Sequence, residues 1–253
     1  MLFGVLLFIF VAINLKILRT AINIFQILFF WVWTVISAIF GFLILPFVGQ
    51  KKGIYISTQV WSSPLMWVGG IELKTEGLEN VPINRSVIFA SNHESSFDIP
   101  VLFKVFPIPL FFLAKAELKR IPLFGWFVNA VGMVFIERTN HKSAMESLKK
   151  AGQEIKKGKS IISFPEGTRP RDGKMIMFRR GTFILALENQ IDVVPVGILG
   201  SFEVNPPGYK MSPGFITVKV GEPINIRDFD TNKPDILAKY TEDRVRDLIT
   251  KSK

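Results

Sequence analysis

The chain has 253 residues, of which 49% are hydrophobic, and its formal net charge is +10. Cysteine is absent and only two histidines occur, which excludes disulfides, thiolate metal sites and a cysteine nucleophile, and disfavours a multi-histidine metal centre. A basic surface suits nucleic acid, anionic lipid or an acidic carrier. No nucleic-acid-binding motif occurs, so we expect membrane lipid, and no nucleic acid, as a partner.

The first 53 residues are apolar and contain no acidic residue. They hold two hydrophobic runs, at 1–13 and 27–49. At about 1.5 Å per helical residue the first run is too short to cross a hydrocarbon core of about 30 Å, whereas the second is long enough. A secretory signal peptide fits poorly, because the chain begins without a basic region and no small-residue cleavage site follows.

The positions of the basic residues favour shallow insertion. Lys16 and Arg19 separate the two runs, and Lys51 and Lys52 follow the second. A spanning second run would carry a basic cluster on each side, which gives a weak orientation signal. A helical pair that dips into one leaflet places both clusters on the cytoplasmic face of an inner or cytoplasmic membrane. We expect such a pair over 1–53. A true span and a buried core helix remain as alternatives.

The remaining residues, 54–253, have the pattern of one α/β domain. A linker-like stretch around Ser62, Ser63 and Pro64 comes first, and short apolar segments then alternate with helical periodicity. The predicted strands are 71–75, 87–91, 110–114, 131–136, 160–164, 193–198 and 215–220. The predicted helices are 143–157, 181–189 and 235–250. This alternation predicts a mostly parallel or mixed sheet of about seven strands, flanked by helices.

The first polar constellation, Asn92-His93-Glu94-Ser95-Ser96-Phe97-Asp98, directly follows a predicted strand. Histidine has an unperturbed pKa of about 6.5, so His93 could accept a proton near neutral pH. Asp98 could orient the imidazole, provided that a turn separates the two residues, because five positions along a helix point in different directions. The alternative is that Asp98 caps a helix and His93 is a structural residue.

The second constellation, Phe164 to Arg169, also follows a predicted strand and reads Phe-Pro-Glu-Gly-Thr-Arg. Gly167 would let the backbone approach a ligand, Thr168 could donate its hydroxyl, and Arg169 could bind a phosphate through two hydrogen bonds. A solvated turn is the alternative. No Gly-x-Ser-x-Gly elbow or Walker loop occurs.

Two weaker segments contain Lys115 and Arg138. Each is more typical of a salt-bridged surface than of a site when taken alone. His141 is surrounded by polar residues and is predicted to be a surface residue.

Together these segments resemble the glycerolipid acyltransferase family. The residues from Asn92 to Asp98 are similar to its NHxxxxD box and those from Phe164 to Arg169 to its FPEGTR box. Segment 132–138 is similar to its second box, 194–196 to its fourth, and 115–125 to a KxEL…PxxG stretch. The resemblance covers about half the chain and is greatest to bacterial 1-acyl-glycerol-3-phosphate acyltransferases.

The resemblance implies an activity and a role for each residue. His93 would deprotonate the 2-hydroxyl of lysophosphatidic acid, with Asp98 as its orienting partner. Arg169, with Arg138 and Lys115, would hold the acceptor's phosphate. Glu166 and Thr168 would shape that pocket, and the Gly167 N–H could stabilise an oxyanion. The donor would be a thioester of acyl carrier protein or coenzyme A, without metal or cofactor. The alternatives are a different lysophospholipid acceptor and a non-catalytic module that binds anionic lipid.

Overall fold

Seven strands form one sheet at the centre of the protein. The computed structural model describes residues 2–137, 141–208, 210–230 and 232–250. The strands are β1 (Ile71–Glu76), β2 (Ile88–Ser91), β3 (Leu110–Lys115), β4 (Val134–Ile136), β5 (Ser160–Ser163), β6 (Val193–Leu199) and β7 (Gly214–Val220). Their order across the sheet is β1-β7-β6-β2-β5-β3-β4, and every neighbouring pair is parallel except β6 and β7. The predicted α/β fold with a mostly parallel sheet of seven strands is confirmed.

Helices flank this sheet in two groups. They are α1 (Leu2–Gly69), α2 (Asp98–Val105), α3 (Phe124–Ala130), α4 (His141–Lys156), α5 (Gly181–Asn189), α6 (Ser201–Val204) and α7 (Pro234–Thr250). α1 contacts α2 and α3, whereas α5 contacts α4 and α7. β2, β5 and β6 are buried nearly throughout, as expected for parallel strands that helices cover on both faces.

The connections around β2 and β5 create a crevice at the edge of the sheet. β2 and β5 are neighbours, but the chain leaves β2 toward β3 on one side and leaves β5 toward β6 on the other. Ligands in open α/β sheets bind where the connections diverge in this way, outside the carboxyl ends of the strands. The two motif segments, which follow β2 and β5, therefore meet at this crevice.

The apolar N-terminal segment forms an antiparallel helical hairpin that turns at Gly49. Its φ of 74° and ψ of 171° interrupt the helix, and a side chain is disfavoured at such a φ. The outgoing arm (2–48) and the return arm (50–69) are joined by hydrogen bonds. Gln26 Nε2 donates to the Val68 carbonyl oxygen at 3.0 Å and Trp61 Nε1 donates to Thr34 Oγ1 at 2.9 Å. The N-terminal segment is thus a helical hairpin, but its two arms are not the two runs, 1–13 and 27–49, that the sequence predicted as the helical pair.

The position of the turn corrects the sequence-based prediction. We expected the two helices to be separated near Lys16 and Arg19, but the outgoing arm is a continuous helix past both residues. The stretch around Ser62, Ser63 and Pro64 was also predicted wrongly as a linker, because it lies within the return arm. The division into segments 1–53 and 54–253 stays a prediction.

Local hydrogen bonds explain why this polar stretch is helical. The Ser63 hydroxyl donates to the Gln59 carbonyl oxygen at 2.8 Å, which satisfies the hydroxyl within the helix. Pro64 cannot donate to the Val60 carbonyl oxygen four residues earlier. The Trp33 indole N–H approaches that oxygen at 3.3 Å, so the other arm supplies a donor.

The hairpin lies along the α/β domain over most of its length. Near one end, Arg19 Nη2 donates to Ser212 Oγ at 3.0 Å, and at the turn Gln50 Nε2 donates to the Ala130 carbonyl oxygen at 3.1 Å. Between these points the Phe30 ring lies 6.2 Å from the ring of Phe97, centroid to centroid. The hairpin and the domain therefore pack as one body.

We expect Gly41→Val to destabilise the junction between the hairpin and α3. A Cβ at Gly41 would collide with the ring of Phe127, which is itself buried. Forcing this packing apart should lower the free energy of unfolding by about 1–3 kcal/mol, measured by thermal denaturation in detergent micelles. Gly181→Ala is the control, since no atom lies within 4 Å of its added Cβ. Equal melting temperatures for the two variants would contradict this packing.

Candidate active site

His93 and Asp98 are in direct contact at the carboxyl end of β2. His93 Nδ1 lies 2.7 Å from Asp98 Oδ2. The five-residue spacing is closed by a turn, because residues 92–97 are not helical and α2 begins at Asp98. Asp98 does not cap its own helix, whose N-terminal cap residue Phe97 makes no side-chain cap hydrogen bond. The contact that the catalytic interpretation requires is therefore present, and Asp98 is not the cap residue of α2; the catalytic roles of the two residues stay predictions.

Four donors converge on the Asp98 carboxylate. Besides the imidazole, Oδ2 accepts the main-chain N–H of Glu94 at 2.7 Å and of Ser95 at 2.9 Å. Oδ1 accepts the hydroxyl of Ser201 at 2.5 Å. The carboxylate is fully buried, and hydrogen bonds to a buried charge are what make its burial tolerable. The Asp98 side chain is therefore fixed in place as an acceptor for His93.

The imidazole is held on a second side by Phe164. The two rings are stacked, with centroids 4.0 Å apart and an angle of 17° between their planes. Since Nδ1 faces Asp98, Nε2 is the ring nitrogen directed away from the carboxylate. The His93 side chain is 16% exposed, so the ring is not sealed from the surface.

Glu166 connects the two motif segments from inside the protein. Its carboxylate is fully buried; Oε1 accepts the His93 N–H at 2.8 Å and Oε2 accepts the Ile176 N–H at 3.0 Å. Burial raises the pKa of the Glu166 carboxyl, and the two N–H groups oppose that shift. This geometry positions the backbone of His93 rather than presenting Glu166 to a ligand.

Gly167 forms the turn of the second motif. Its φ is 76°, and its N–H donates to the Phe164 carbonyl oxygen at 3.0 Å. A Cβ at this position would come within 3.3 Å of the Arg179 guanidinium. The glycine therefore serves the turn, and an oxyanion role would require its N–H to exchange partners.

A cavity of about 490 Å³ opens beside the dyad. Its lining includes Thr168 and Arg169, two of the residues predicted to bind the acceptor, and also Arg171. Arg169 donates to the Ser96 hydroxyl, which joins the second motif to the turn of the first. Two guanidinium groups at one cavity make it suited to an anionic group such as a phosphate.

Lys115, another predicted phosphate ligand, is not among the residues that line this cavity. Lys115 is the last residue of β3, at the same carboxyl end of the sheet as the two motif segments. Its ammonium lies 3.0 Å from Glu117 Oε1, and its side chain is 59% exposed. Arg138 lies outside the described residues, as does the side chain of His141. The roles of Lys115 and Arg138 stay predictions.

Several residues of the site were missed by the sequence analysis. Ser201 and Arg171 carry no motif that marks them, although Gly200-Ser201 directly after the predicted strand at 193–198 was an available signal. Glu94 was seen only as part of the first box. Burial, followed by the charge of Asp98, raises the pKa of Glu94 to about 8.

Comparisons with known proteins agree with this geometry. The family model described as Acyltransferase matches residues 72–199, about half of the chain. A chloroplastic 1-acyl-sn-glycerol-3-phosphate acyltransferase of Arabidopsis thaliana is 29% identical over 86% of this chain and 63% of its own length. An enzyme of the same name from Limnanthes douglasii is 34% identical over 71% of this chain and 64% of its own. The chain thus spans somewhat less than two thirds of these two relatives.

The fold is also found in a solved structure. The crystal structure of the 1-acyl-sn-glycerophosphate acyltransferase PlsC from Thermotoga maritima superposes with a TM-score of 0.78 and 28% identity, covering 91% of this chain and 94% of that one. The His-Asp contact, the motif order and the matched family model lead to one conclusion: the chain belongs to the glycerolipid acyltransferase family.

Proposed function

We propose that the protein transfers a fatty acyl group from a thioester to the sn-2 hydroxyl of lysophosphatidic acid, which gives phosphatidic acid. The contact between His93 and Asp98 beside an arginine-lined cavity is the observation that carries this proposal. The names of the similar proteins support the choice of acceptor.

The dyad supplies general-base catalysis. His93 Nε2 takes the proton of the acceptor hydroxyl as its oxygen attacks the thioester carbonyl carbon. The C–O bond forms, the C–S bond breaks, and the proton passes from the imidazolium to the leaving thiolate. Asp98 holds the Nδ1–H tautomer and stabilises the positive charge of the imidazolium. This mechanism involves no acyl-enzyme intermediate.

Arg169 and Arg171 provide the binding site for the acceptor's phosphate. The cavity that they line also contains the Thr168 and Ser96 side chains, which can donate hydroxyl hydrogen bonds. Because Ser96 and His93 belong to the same turn, a phosphate held here brings the glycerol hydroxyl toward the imidazole.

The acyl donor in this proposal is a thioester of acyl carrier protein or coenzyme A. Both are acidic, and the formal net charge of +10 favours their approach by electrostatic steering. Residues 170–180 add basic groups beside the second motif at Arg171, Lys174, Arg179 and Arg180. A comparison of the two thioesters with the purified protein would identify the donor.

The hairpin would hold this site at the membrane surface. Among the described residues, one helical stretch, Asn14–Gly69, which includes the turn at Gly49, is long and apolar enough to cross a bilayer by length and composition. The outgoing arm exposes many large apolar side chains, among them Leu18, Phe25, Leu28, Trp31, Leu43 and Phe47. Trp126 and Leu123, at the start of α3, extend this apolar surface beside the hairpin turn.

The contacts of the hairpin support shallow insertion over a span. Arg19 and Gln50 both bind the α/β domain, and the 29 helical steps from Arg19 to the end of the outgoing arm at residue 48 cover about 44 Å. A hairpin upright in the bilayer would therefore pull the domain through a core of about 30 Å. An arm that lies along one leaflet keeps the basic groups near both ends at the headgroup level.

Replacement of His93 by alanine should reduce acyl transfer by about 10²–10⁴-fold, because the general base is lost. The measurement is release of thiol from the acyl thioester with and without lysophosphatidic acid. His141→Ala is the matched control, since His141 is the other histidine of the chain and should be dispensable. Near-normal turnover of a folded His93→Ala variant would refute the base assignment.

Replacement of Arg169 by alanine should raise KM for lysophosphatidic acid by about 10-fold or more, because a charge-assisted hydrogen bond to phosphate is removed. Arg227→Ala is the control, as Arg227 is exposed on a turn after β7. A panel of lysolipid acceptors measured with the same proteins separates the lysophosphatidic acid activity from transfer to another headgroup. An unchanged KM in Arg169→Ala would argue against the phosphate role.

Topology can be tested with single cysteines, because the chain has none of its own. We expect Lys16→Cys and Arg227→Cys to react with an impermeant maleimide from the same side of a sealed vesicle. Labelling of residue 16 only from the side opposite residue 227 would exclude the shallow hairpin.

A further inference from the structure

A second carboxyl group lies beside the dyad and has no part in the reaction described above. Glu94 follows His93 and lines the cavity that contains Arg169. The Asn92 Nδ2 group donates to its Oε1 at 3.2 Å, and its Oε2 lies 3.4 Å from Ser201 Oγ. Glu94 therefore touches both the cavity and the hydroxyl that contacts Asp98.

Ser201 is held in place by the geometry of the chain that precedes it. Gly200 has a φ of 85°, and a Cβ there would collide with the Phe215 carbonyl oxygen, so glycine is required. The turn places Ser201 at the start of α6, fully buried, with its Oγ 2.5 Å from Asp98 Oδ1. The β6–α6 junction thus delivers one hydroxyl to the face of Asp98 that His93 does not use.

The Ser201 hydroxyl has a single proton for two carboxyl groups. The shorter contact, 2.5 Å to Asp98, is the one that receives it. Glu94 Oε2 can then form a hydrogen bond to Ser201 Oγ only as a donor, which requires Glu94 to be protonated. Burial and the negative charge of Asp98 favour this form, and they raise the pKa of Glu94 to about 8.

We propose that protonated Glu94 and Ser201 form a hydrogen-bonded chain that positions Asp98, and through it His93, and that keeps a second negative charge out of the acceptor cavity. Glu94 and Ser201 are positioning residues, since neither touches the reacting atoms. The inference rests on the proposed acyl transfer and assigns a regulation by pH to the same site.

The surroundings of Glu94 set the sign of the pH effect. Asp98 and Glu203 face it and disfavour its ionised form, whereas the backbone of Phe202 favours that form through a hydrogen bond, as would the Ser201 hydroxyl if it donated to Glu94 instead of to Asp98. His93 is its neighbour in the chain, and Arg169 and Arg171 line the same cavity. When pH rises above about 8, Glu94 loses its proton. Two carboxylates then compete for the Ser201 proton, and a negative charge opposes the acceptor's phosphate.

Glu94→Gln tests the role of the Glu94 proton while keeping the hydrogen bond to Ser201. The glutamine amide can donate to Ser201 Oγ as the protonated acid does, but it cannot ionise. We expect kcat/KM of this variant for lysophosphatidic acid to stay within about threefold of wild type at pH 7. At pH 9 we expect it to exceed wild type by about tenfold, because one ionisation near pH 8 lowers the wild-type value tenfold per pH unit. The rate of spontaneous thioester hydrolysis, measured without enzyme at each pH, is subtracted.

Ser201→Ala removes the hydroxyl itself. We expect kcat at pH 7 to fall by about tenfold or more while KM for lysophosphatidic acid changes less than about twofold, because the variant disturbs Asp98 and not the phosphate site. Ser201→Thr, which keeps the hydroxyl, should restore most of the rate. Ser147→Ala is the matched control: it removes another buried serine hydroxyl, which donates to the Ser143 carbonyl oxygen in α4, and should leave kcat unchanged.

The outcomes separate the two proposals. Turnover of lysophosphatidic acid by the wild-type protein tests the proposed function. The ratios of the variants' kinetic constants to those of wild type test the hydrogen-bonded chain of Glu94 and Ser201. An alkaline limb in Glu94→Gln identical to that of wild type would overturn the role of Glu94. A wild-type kcat in folded Ser201→Ala would overturn the role of Ser201. Absence of wild-type turnover at every pH would remove the proposed function and with it this inference.

Discussion

The buried carboxylate of Asp98 is the point on which the site depends. It accepts hydrogen bonds from His93, from the N–H groups of Glu94 and Ser95, and from the Ser201 hydroxyl. A buried charge without such donors would be costly, and a carboxylate free to rotate could not fix the imidazole. Each donor therefore contributes both to the tolerance of the charge and to the geometry that the proposed role of His93 as a base requires.

The same turn couples chemistry to the membrane segment. Phe97, one residue before Asp98, packs against Phe30 of the hairpin, while Glu166 holds the His93 backbone from the side of β5. The turn is thus fixed between the sheet and the hairpin. In our proposal this arrangement is what lets an enzyme with a water-facing acyl donor act on a substrate whose chain stays in the bilayer, because the site and the membrane contact move together.

Short-range signals were sufficient for the strands, but they left the role of His93 and Asp98 open. Apolar, β-branched segments bounded by turn residues predicted all seven strands, whereas only the resemblance of the motif boxes to the glycerolipid acyltransferase family implied that His93, Asp98 and Arg169 belong to one site. The sequence predicted a helical pair, but it placed the break between the helices near Lys16 and Arg19 instead of at Gly49. It did not predict that residues 50–69 form the second arm. Lys16 and Arg19 do not end the helix, because lysine and arginine are themselves good helix formers and the Thr20 hydroxyl donates to the Lys16 carbonyl oxygen within the helix. Serine hydroxyls that donate to carbonyl oxygens in the same way let the second arm include a stretch with linker composition.

The sequence by itself determined which residue types carry the chemistry and on which strand ends they lie, because strand periodicity and motif spacing are local properties of the chain. Only the tertiary structure decided which groups complete the site. Ser201 lies 103 residues from Asp98 in the chain and reaches it because β6 pairs with β2. Glu166 reaches His93 for the same kind of reason, because the two residues follow β5 and β2, which are neighbouring strands. Contacts of this kind depend on how the sheet is assembled, and no local pattern of residues encodes them.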